Sequence, residues 1–437
     1  MDRGTAPDEQ VSAATSRSPV AAAIASFVDS IAPDVPVRVE LWDGTVLGRS
    51  GGPTLCVRSA DALRRLLWAP GELGLCRAYV AGDIDVDGDL FEAVAALRPA
   101  GAGLRLGPRQ LVALAGAARR GGAVGPPLDP PPEEARPRGL RHSVRRDGQA
   151  VRHHYDVGND FYRLVLGPSM TYSCARFADP DMALEAAQAS KHDLVCRKLG
   201  LAERRELRLL DVGCGWGSMA IHAATRYGAR VVGITISPEQ RELGLRRVAE
   251  AGVDALVEIR LQDYRDLGGE RFDAISSIGM SEHVGRERMN EYFSGLAAVL
   301  VPRGRLLNHA ISCVGGSKLR GRSFMGRYVF PDGELLDVGE TVLAMERAGL
   351  EVRDVESLRE HYASTLRRWV ANLEEHWDDA VHLVGERRAR VWRLYMAASA
   401  IGFEDAGIAV HQVLAVRRDV GGPSGMPPTR DHWATAS

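Results

Sequence analysis

From Leu207 onward, short apolar runs alternate with stretches whose apolar residues recur every three or four positions. The runs "LRLLDVG", "ARVVGITIS", "LVEIRLQD", "FDAISSIGM" and "GRLLNHAIS" predict five strands, since short continuous apolar runs mark strands covered on both faces. "SMAIHAATRYG" predicts a helix ending at Gly228, and "PEQRELGLRRVAEAG" one that opens at Pro238 and stops before Gly252. Proline suits a helix's first turn and glycine its end. Strands alternating with helices imply a parallel sheet with helices on both faces, an α/β fold. A long stretch from "ASTLRRWVANLEEHW" to "RLYMAASAIG" carries helical spacing and predicts a helical insertion, and "IAVHQVLAVR" predicts a final edge strand.

Ahead of this region the pattern is different. "VRVELWDGTVLG" alternates around an Asp-Gly pair and predicts a hairpin, and "SADALRRLLWAP" predicts a short helix. Together they suggest a small α+β module over 19–100, preceded by a flexible polar N-terminus over 1–18. Residues 101–150 are rich in proline and glycine and read as a linker. Ten arginines from Arg105 to Arg152 are opposed there only by Asp129, Glu133, Glu134 and Asp147. The segment is either a solvated basic linker or a surface for anionic headgroups, each held cation contributing roughly 1 kcal/mol. The second domain is expected over 151–420, with a flexible C-terminus over 421–437.

Composition narrows the class. Apolar residues make up 45% and charged residues 26% of the 437 residues, as in folded globular proteins. A net charge of -2 argues against a nucleic-acid binder. Six cysteines without a CxxC pair fit a reduced, cytoplasmic setting and no zinc site. "VAAAIASFV" is too short to cross a bilayer, so membrane contact is expected to be peripheral.

Candidate chemistry begins at "LLDVGCGWGS", where Gly213, Gly215 and Gly217 follow the first strand. Glycines there let the backbone turn tightly and approach a ligand, and ligands in such sheets bind at the carboxyl ends of strands. With Asp211 in front, the D-x-G-x-G-x-G pattern is that of S-adenosylmethionine methyltransferases. A dinucleotide-binding dehydrogenase would show an acidic residue after the second strand; here "VVGITISPEQ" offers Thr235, Ser237 and Gln240 instead. "LQDYRDL" offers Asp263 for an adenine amino group and Tyr264 as a stacking wall, although either also serves as an ordinary loop residue. "SIGMSEHVG" places Glu282 and His283 where a strand gives way to a loop. The plain explanation is that Ser281 caps a helix and Glu282 complements its dipole.

"HHYDVGNDFY", "SMTYSCARF", "LLDVGCGWGS", "GITISPEQ", "LQDYRDL", "GMSEHVG" and "YVFPDG" follow one another in a single order. Together they resemble the cyclopropane-fatty-acyl-phospholipid synthase family, relatives of the mycolic acid cyclopropane synthases, densely from His153 to Val416. The resemblance implies a Rossmann-like, seven-stranded class I methyltransferase sheet whose helical insertion covers an acyl pocket. It implies methyl transfer from S-adenosylmethionine to the cis double bond of a phospholipid acyl chain, with a bound bicarbonate ion removing a proton as the ring closes. By motif, Cys174 and Ile311 line the ion site through backbone, Glu282 and His309 through side chains, and Tyr362 through its phenol. Tyr172, Ser173, Asp211, Gly213, Gly215, Gly217, Thr235, Gln240, Asp263 and Tyr264 fall on the cofactor side.

His283 is read as packing under the loop. Two departures stand out: Ser281 replaces an aromatic residue found in many members, and Ser399 a cysteine found in several. A close rival product is an exomethylene chain, which needs a reductase partner to become a methyl branch. Capture of the cation by water would give a hydroxyl. A soluble methyltransferase acting on oxygen or nitrogen, and a lipid-surface protein without catalysis, are the other classes. The resemblance also suggests a homodimer.

Overall fold

The computed structural model describes residues 19–31, 37–48, 52–101, 107–135, 157–204, 206–316, 323–331, 333–419 and 421–434. The chain divides into two compact units, Met1–Pro130 and Pro131–Ser437.

In the first unit, α1 (Pro19–Ile31), β1 (Arg38–Glu40), β2 (Val46–Leu47), β3 (Thr54–Val57), α2 (Asp61–Trp68), α3 (Glu72–Ala81), β4 (Ile84–Asp87), α4 (Leu90–Gly101) and α5 (Pro108–Arg120) follow in order. The hairpin at Asp43-Gly44 is the expected one, pairing Val39 with Leu47. The four strands form one sheet in the order β2-β1-β3-β4. The start of the expected linker is not a linker. Pro108 opens α5, and Leu114, Ala117 and Ala118 join Ile24, Leu41 and Leu63 in the unit's core. Prolines and arginines flanking this helix masked its apolar stripe. Beyond it, the carbonyls of Gly125, Pro126 and Asp129 accept from Trp68, Arg64 and Arg65. The arginines from Arg136 to Arg152 lie outside the described residues.

The second unit contains α6 (Asn159–Leu166), α7 (Leu184–Lys198), β5 (Arg208–Val212), α8 (Ser218–Tyr227), β6 (Arg230–Thr235), α9 (Pro238–Glu250), β7 (Val257–Leu261) and β8 (Phe272–Ile278). There follow α10 (Met289–Val299), β9 (Leu300–Cys313), β10 (Leu336–Asp337), α11 (Val338–Arg347), β11 (Leu350–Ser357), α12 (Arg359–Glu375), α13 (Trp377–Val384), α14 (Glu386–Glu404), β12 (Ile408–Arg417) and α15 (Asp431–Ala434). Seven strands run β11-β12-β9-β8-β5-β6-β7, and the two-residue β10 pairs with β9 as an eighth. Strands β5 to β9 are mutually parallel, so strand order reverses between β5 and β8.

The sheet's two faces are legible residue by residue. Leu209, Val231, Leu307 and Leu414 face the core built with α7 and α8. Their neighbours Leu210, Val232, Leu306 and Val413 face the core built with α10 and α11. This is the period-2 alternation of a strand buried on both sides, and each such leucine contributes about 2 kcal/mol.

Two expectations fail here. "IAVHQVLAVR" is not an edge strand: β12 pairs antiparallel with β9 on one side and β11 on the other. Its burial on both faces explains the nearly continuous apolar run, while the edge belongs to the more polar β11. Nor are the described residues 421–434 loose. Trp433 is 4% exposed within the α7–α8 core with Met426 against it, and Arg430 pairs with buried Asp354. The helical insertion is three helices, broken at His376 and at Gly385, whose φ is 79°. No helix among the described residues is long and apolar enough to cross a membrane.

Candidate active site

The turn between β5 and α8 requires glycine. Gly213, Gly215 and Gly217 have φ of 73°, 54° and 79°, a region that a side chain disfavours. The amides of Gly213 and Cys214 both donate to the Ile234 carbonyl, tying the turn to β6. A cleft of about 1150 Å³, partly open to solvent, lies over it at the strand-order reversal.

The residues assigned to the cofactor from sequence, Tyr172, Ser173, Asp211, Gly213, Gly215, Thr235, Gln240, Asp263 and Tyr264, all line this cleft; Gly217 closes the turn behind it. Asp211 Oδ1 accepts from Ser276 Oγ at 2.7 Å, while Oδ2 is buried without a partner among the described residues. Burial pushes its carboxyl up to about 6 against the pull of Ser276 and Lys191. An orphaned carboxylate oxygen beside a close-approach glycine turn fits the ammonium of an amino-acid end, which S-adenosylmethionine carries. Thr235 Oγ1 donates to Gln240 Oε1 at 2.7 Å, and Ser237 caps α9 by accepting from the Gln240 amide. Asp263 holds Arg265 at 2.6 Å. Tyr264 stands edge-on to Tyr292, ring centres 4.9 Å apart.

A second constellation lies where β8 ends, opposite His309 of β9. Glu282 sits in a tight 3₁₀ turn, residues Ser281–His283. Ser281 caps nothing with its side chain, so the helix-cap explanation is wrong. Glu282 Oε1 accepts from the Ile311 amide at 2.8 Å, and Oε2 is shut from water without a partner among the described residues. Burial pushes this carboxyl up to about 7, and the Ile311 N–H offsets part of the rise. His309 is 2% exposed; its Nδ1 lies 3.3 Å from Gln412 Nε2, and its Nε2 has no partner among the described residues. Burial, reinforced by Lys191 and Lys198, holds the ring well below the ordinary histidine range, so it is neutral. His309 and Ile311 are two residues apart on β9 and so share a face.

Cys174 and Tyr362 meet at one carbonyl: the Cys174 thiol and the Tyr362 amide both donate to Leu358 O. Burial pushes that thiol upward, which makes it unreactive and leaves its backbone as the useful part. The Tyr362 ring stacks on Phe403 at 4.7 Å and meets Trp369 edge-on. Trp369 also faces Tyr172, at 5.4 Å.

Sequence reasoning missed Tyr395, whose hydroxyl lies 2.9 Å from that of Tyr172. Burial is the main cause that lifts its phenol to about 12, with the Glu282 charge adding to the rise; Tyr395 therefore connects the two constellations. It also missed Lys191, which lines the cleft. Only three lysines occur among 55 basic residues, and that rarity was the available signal. His283, expected to pack under the loop, lines the cleft with its ring 6.2 Å from Phe330 and is kept neutral by burial, near 4.

A sheet growing outward from β5 in both directions, with a glycine-turn cleft at the reversal, is that of a class I S-adenosylmethionine-dependent methyltransferase. The model of the mycolic acid cyclopropane synthetase family matches residues 142–413, and the chain belongs to that family. It is 44% identical over 414 residues to the probable fatty acid methyltransferase Rv3720 of Mycobacterium tuberculosis, covering 91% of this chain and 95% of that one. It is 38% identical over 278 residues to the cyclopropane-fatty-acyl-phospholipid synthase of Escherichia coli K12, covering 63% of this chain and 69% of that one. The structure superposes on mycolic acid cyclopropane synthase CmaA1, solved with SAH and CTAB, with TM-score 0.58 and 34% identity over 62% of this chain and 98% of that one. The enzyme is thus a methyltransferase of the cyclopropane-synthase type.

Proposed function

We propose that the enzyme transfers a methyl group to the cis double bond of unsaturated phospholipid acyl chains and forms a cyclopropane ring. The carrying observation is the pair of buried atoms Glu282 Oε2 and His309 Nε2, without partners among the described residues, where β8 ends opposite His309 of β9 beside the cofactor cleft. The lipid relatives support the acyl substrate.

Bound S-adenosylmethionine supplies an electrophilic sulfonium methyl carbon. Glu282 Oε2 as acceptor and His309 Nε2–H as donor would hold bicarbonate, which would supply a mild base. The donor on His309 follows from Gln412: an amide N–H given to Nδ1 leaves the ring proton on Nε2. Ile311 acts on the ion through Glu282, because its N–H is spent on Oε1. An alkene that accepts a methyl group becomes a carbocation, and the Glu282 carboxylate opposes that charge in a site with little water. Tyr172, with Trp369 and Trp392 packed behind it at 5.4 and 5.8 Å, is the one of these three rings that lines the cleft. Ser281, small and buried, contributes no ring. Approach to lipid is by peripheral contact, supported by the arginine-rich segment through Arg152.

The test is incubation with labelled S-adenosylmethionine and vesicles of a cis-unsaturated phospholipid, followed by mass spectrometry of the acyl chains. Ring products resist mild hydrogenation; exomethylene products take up two hydrogens and would replace the ring in the proposal. Label appearing only in a water-soluble acceptor removes the proposal altogether.

A further inference from the structure

Among the described residues, Lys191 has no carboxylate within ion-pair distance, although Asp211 lies near enough for its charge to be felt. It is 1% exposed, and its Nζ donates to the neutral hydroxyl of Ser173 at 2.9 Å. Lys198, one helical stretch further along α7 and equally buried, meets Asp354 at 3.0 Å. An ammonium has three donors, and burying one against a single neutral acceptor is costly unless an anion completes it. Lys191 lines the same cleft as Asp211, whose Oδ2 is itself unpartnered among the described residues. Lys191 and Asp211 thus attract each other within one pocket wall without a direct hydrogen bond, and each keeps open hydrogen-bonding capacity. A zwitterionic ligand end satisfies both.

We propose that Lys191 is an anion-binding residue of this cleft, its ammonium receiving a carboxylate-type oxyanion from the ligands of the reaction. Two sources share that chemistry: the carboxylate of the methyl donor's amino-acid end, and the small oxyanion proposed at Glu282 and His309. The second source rests on the proposed function; the first rests only on the family.

The groups facing Lys191 are Ser173 and Cys174 from the preceding loop, Asp211 from β5, His222 from α8, His309 from β9, and His192 and Cys196 on its own helix. Burial lowers the ammonium to about 7, with Cys174, Asp211 and Cys196 acting in the opposite sense. Above that pH much of the free protein carries Lys191 neutral, and a bound oxyanion restores the proton. Binding therefore takes up protons from solution.

Calorimetric titration of the full chain at pH 8, in two buffers of different ionisation enthalpy, measures that uptake. S-adenosylhomocysteine is expected to bind with net proton uptake. Lys191→Met is expected to lose the uptake and about tenfold or more in affinity, the size of a hydrogen bond to a charged group. 5′-Methylthioadenosine, which lacks the amino-acid end, should bind both forms equally. A parallel titration of bicarbonate into S-adenosylhomocysteine-saturated protein covers the second source. Loss in that arm alone supports Lys191 as a contact of the small ion. Glu282→Gln run alongside separates out the Glu282 proton. Unchanged titrations in both arms overturn the proposal, as does equal weakening of 5′-methylthioadenosine. Should Lys191→Met not fold, absence of proton uptake by the unaltered protein with either probe overturns it equally. Lipid methylation is not read in these titrations, so their failure leaves the proposed function standing.

Discussion

Replacing Glu282 by glutamine should stabilise the folded enzyme at alkaline pH while destroying its proposed activity. The carboxyl is raised from 4.5 to about 7, chiefly by burial. For an acid raised on folding, stability is fully present below the unfolded pKa and is lost as pH climbs through the folded one. The shift spans about 2.5 units, which at 1.36 kcal/mol per unit is a penalty of about 3 kcal/mol above pH 8. At pH 5 most of the penalty is absent, and less than about 1 kcal/mol remains. Glutamine keeps an oxygen to accept from the Ile311 N–H, which donates to Glu282 Oε1 at 2.8 Å, and carries no charge to desolvate. Urea titrations of both proteins at pH 5 and pH 8, followed by intrinsic fluorescence, measure the difference. The variant's gain should be about 2 to 3 kcal/mol larger at pH 8 than at pH 5. A variant no more stable than the parent at pH 8 would show that Glu282 is not the strained, desolvated acid described above. In the same preparation, lipid methylation should fall to background while S-adenosylhomocysteine still binds.

Lys198→Met removes the cation between Asp354 and Glu356 and should cost roughly 2 kcal/mol, because Asp354 stays buried with Arg430 as its remaining cation; an unaltered urea midpoint would count against the network. Gly213→Ala places a methyl group 3.2 Å from Met280 Sδ at a φ of +73°, so S-adenosylhomocysteine affinity should fall about tenfold, from roughly 1–2 kcal/mol of strain, with the far-ultraviolet spectrum preserved. Trp433→Ala empties a site in the α7–α8 core and should destabilise by about 3 kcal/mol; a chain cut after residue 420 that unfolds at the parental midpoint would refute the packed C-terminus.

What the sequence determined was local. The runs from Leu209 to Leu307 announced strands because each strand buries both faces, and Pro238 and Gly252 bounded α9 because backbone chemistry permits few alternatives there. The three glycines and Asp211 announced a cleft because only such a turn lets backbone approach a ligand. The resemblance of the motif set supplied Glu282, His309, Ile311, Cys174 and Tyr362, which no spacing rule would have linked. Only the tertiary structure decided which residues touch. Glu282 reaches Ile311 across a strand boundary, Cys174 and Tyr362 share the Leu358 carbonyl, and Tyr395 joins Tyr172 from 223 residues away. It alone placed β12 inside the sheet, since register with β9 and β11 is a long-range choice that an apolar run does not encode. The same holds for Lys191. Its chemistry depends on how little water surrounds it and on which oxygens lie near, and both are set by distant parts of the chain folding over it.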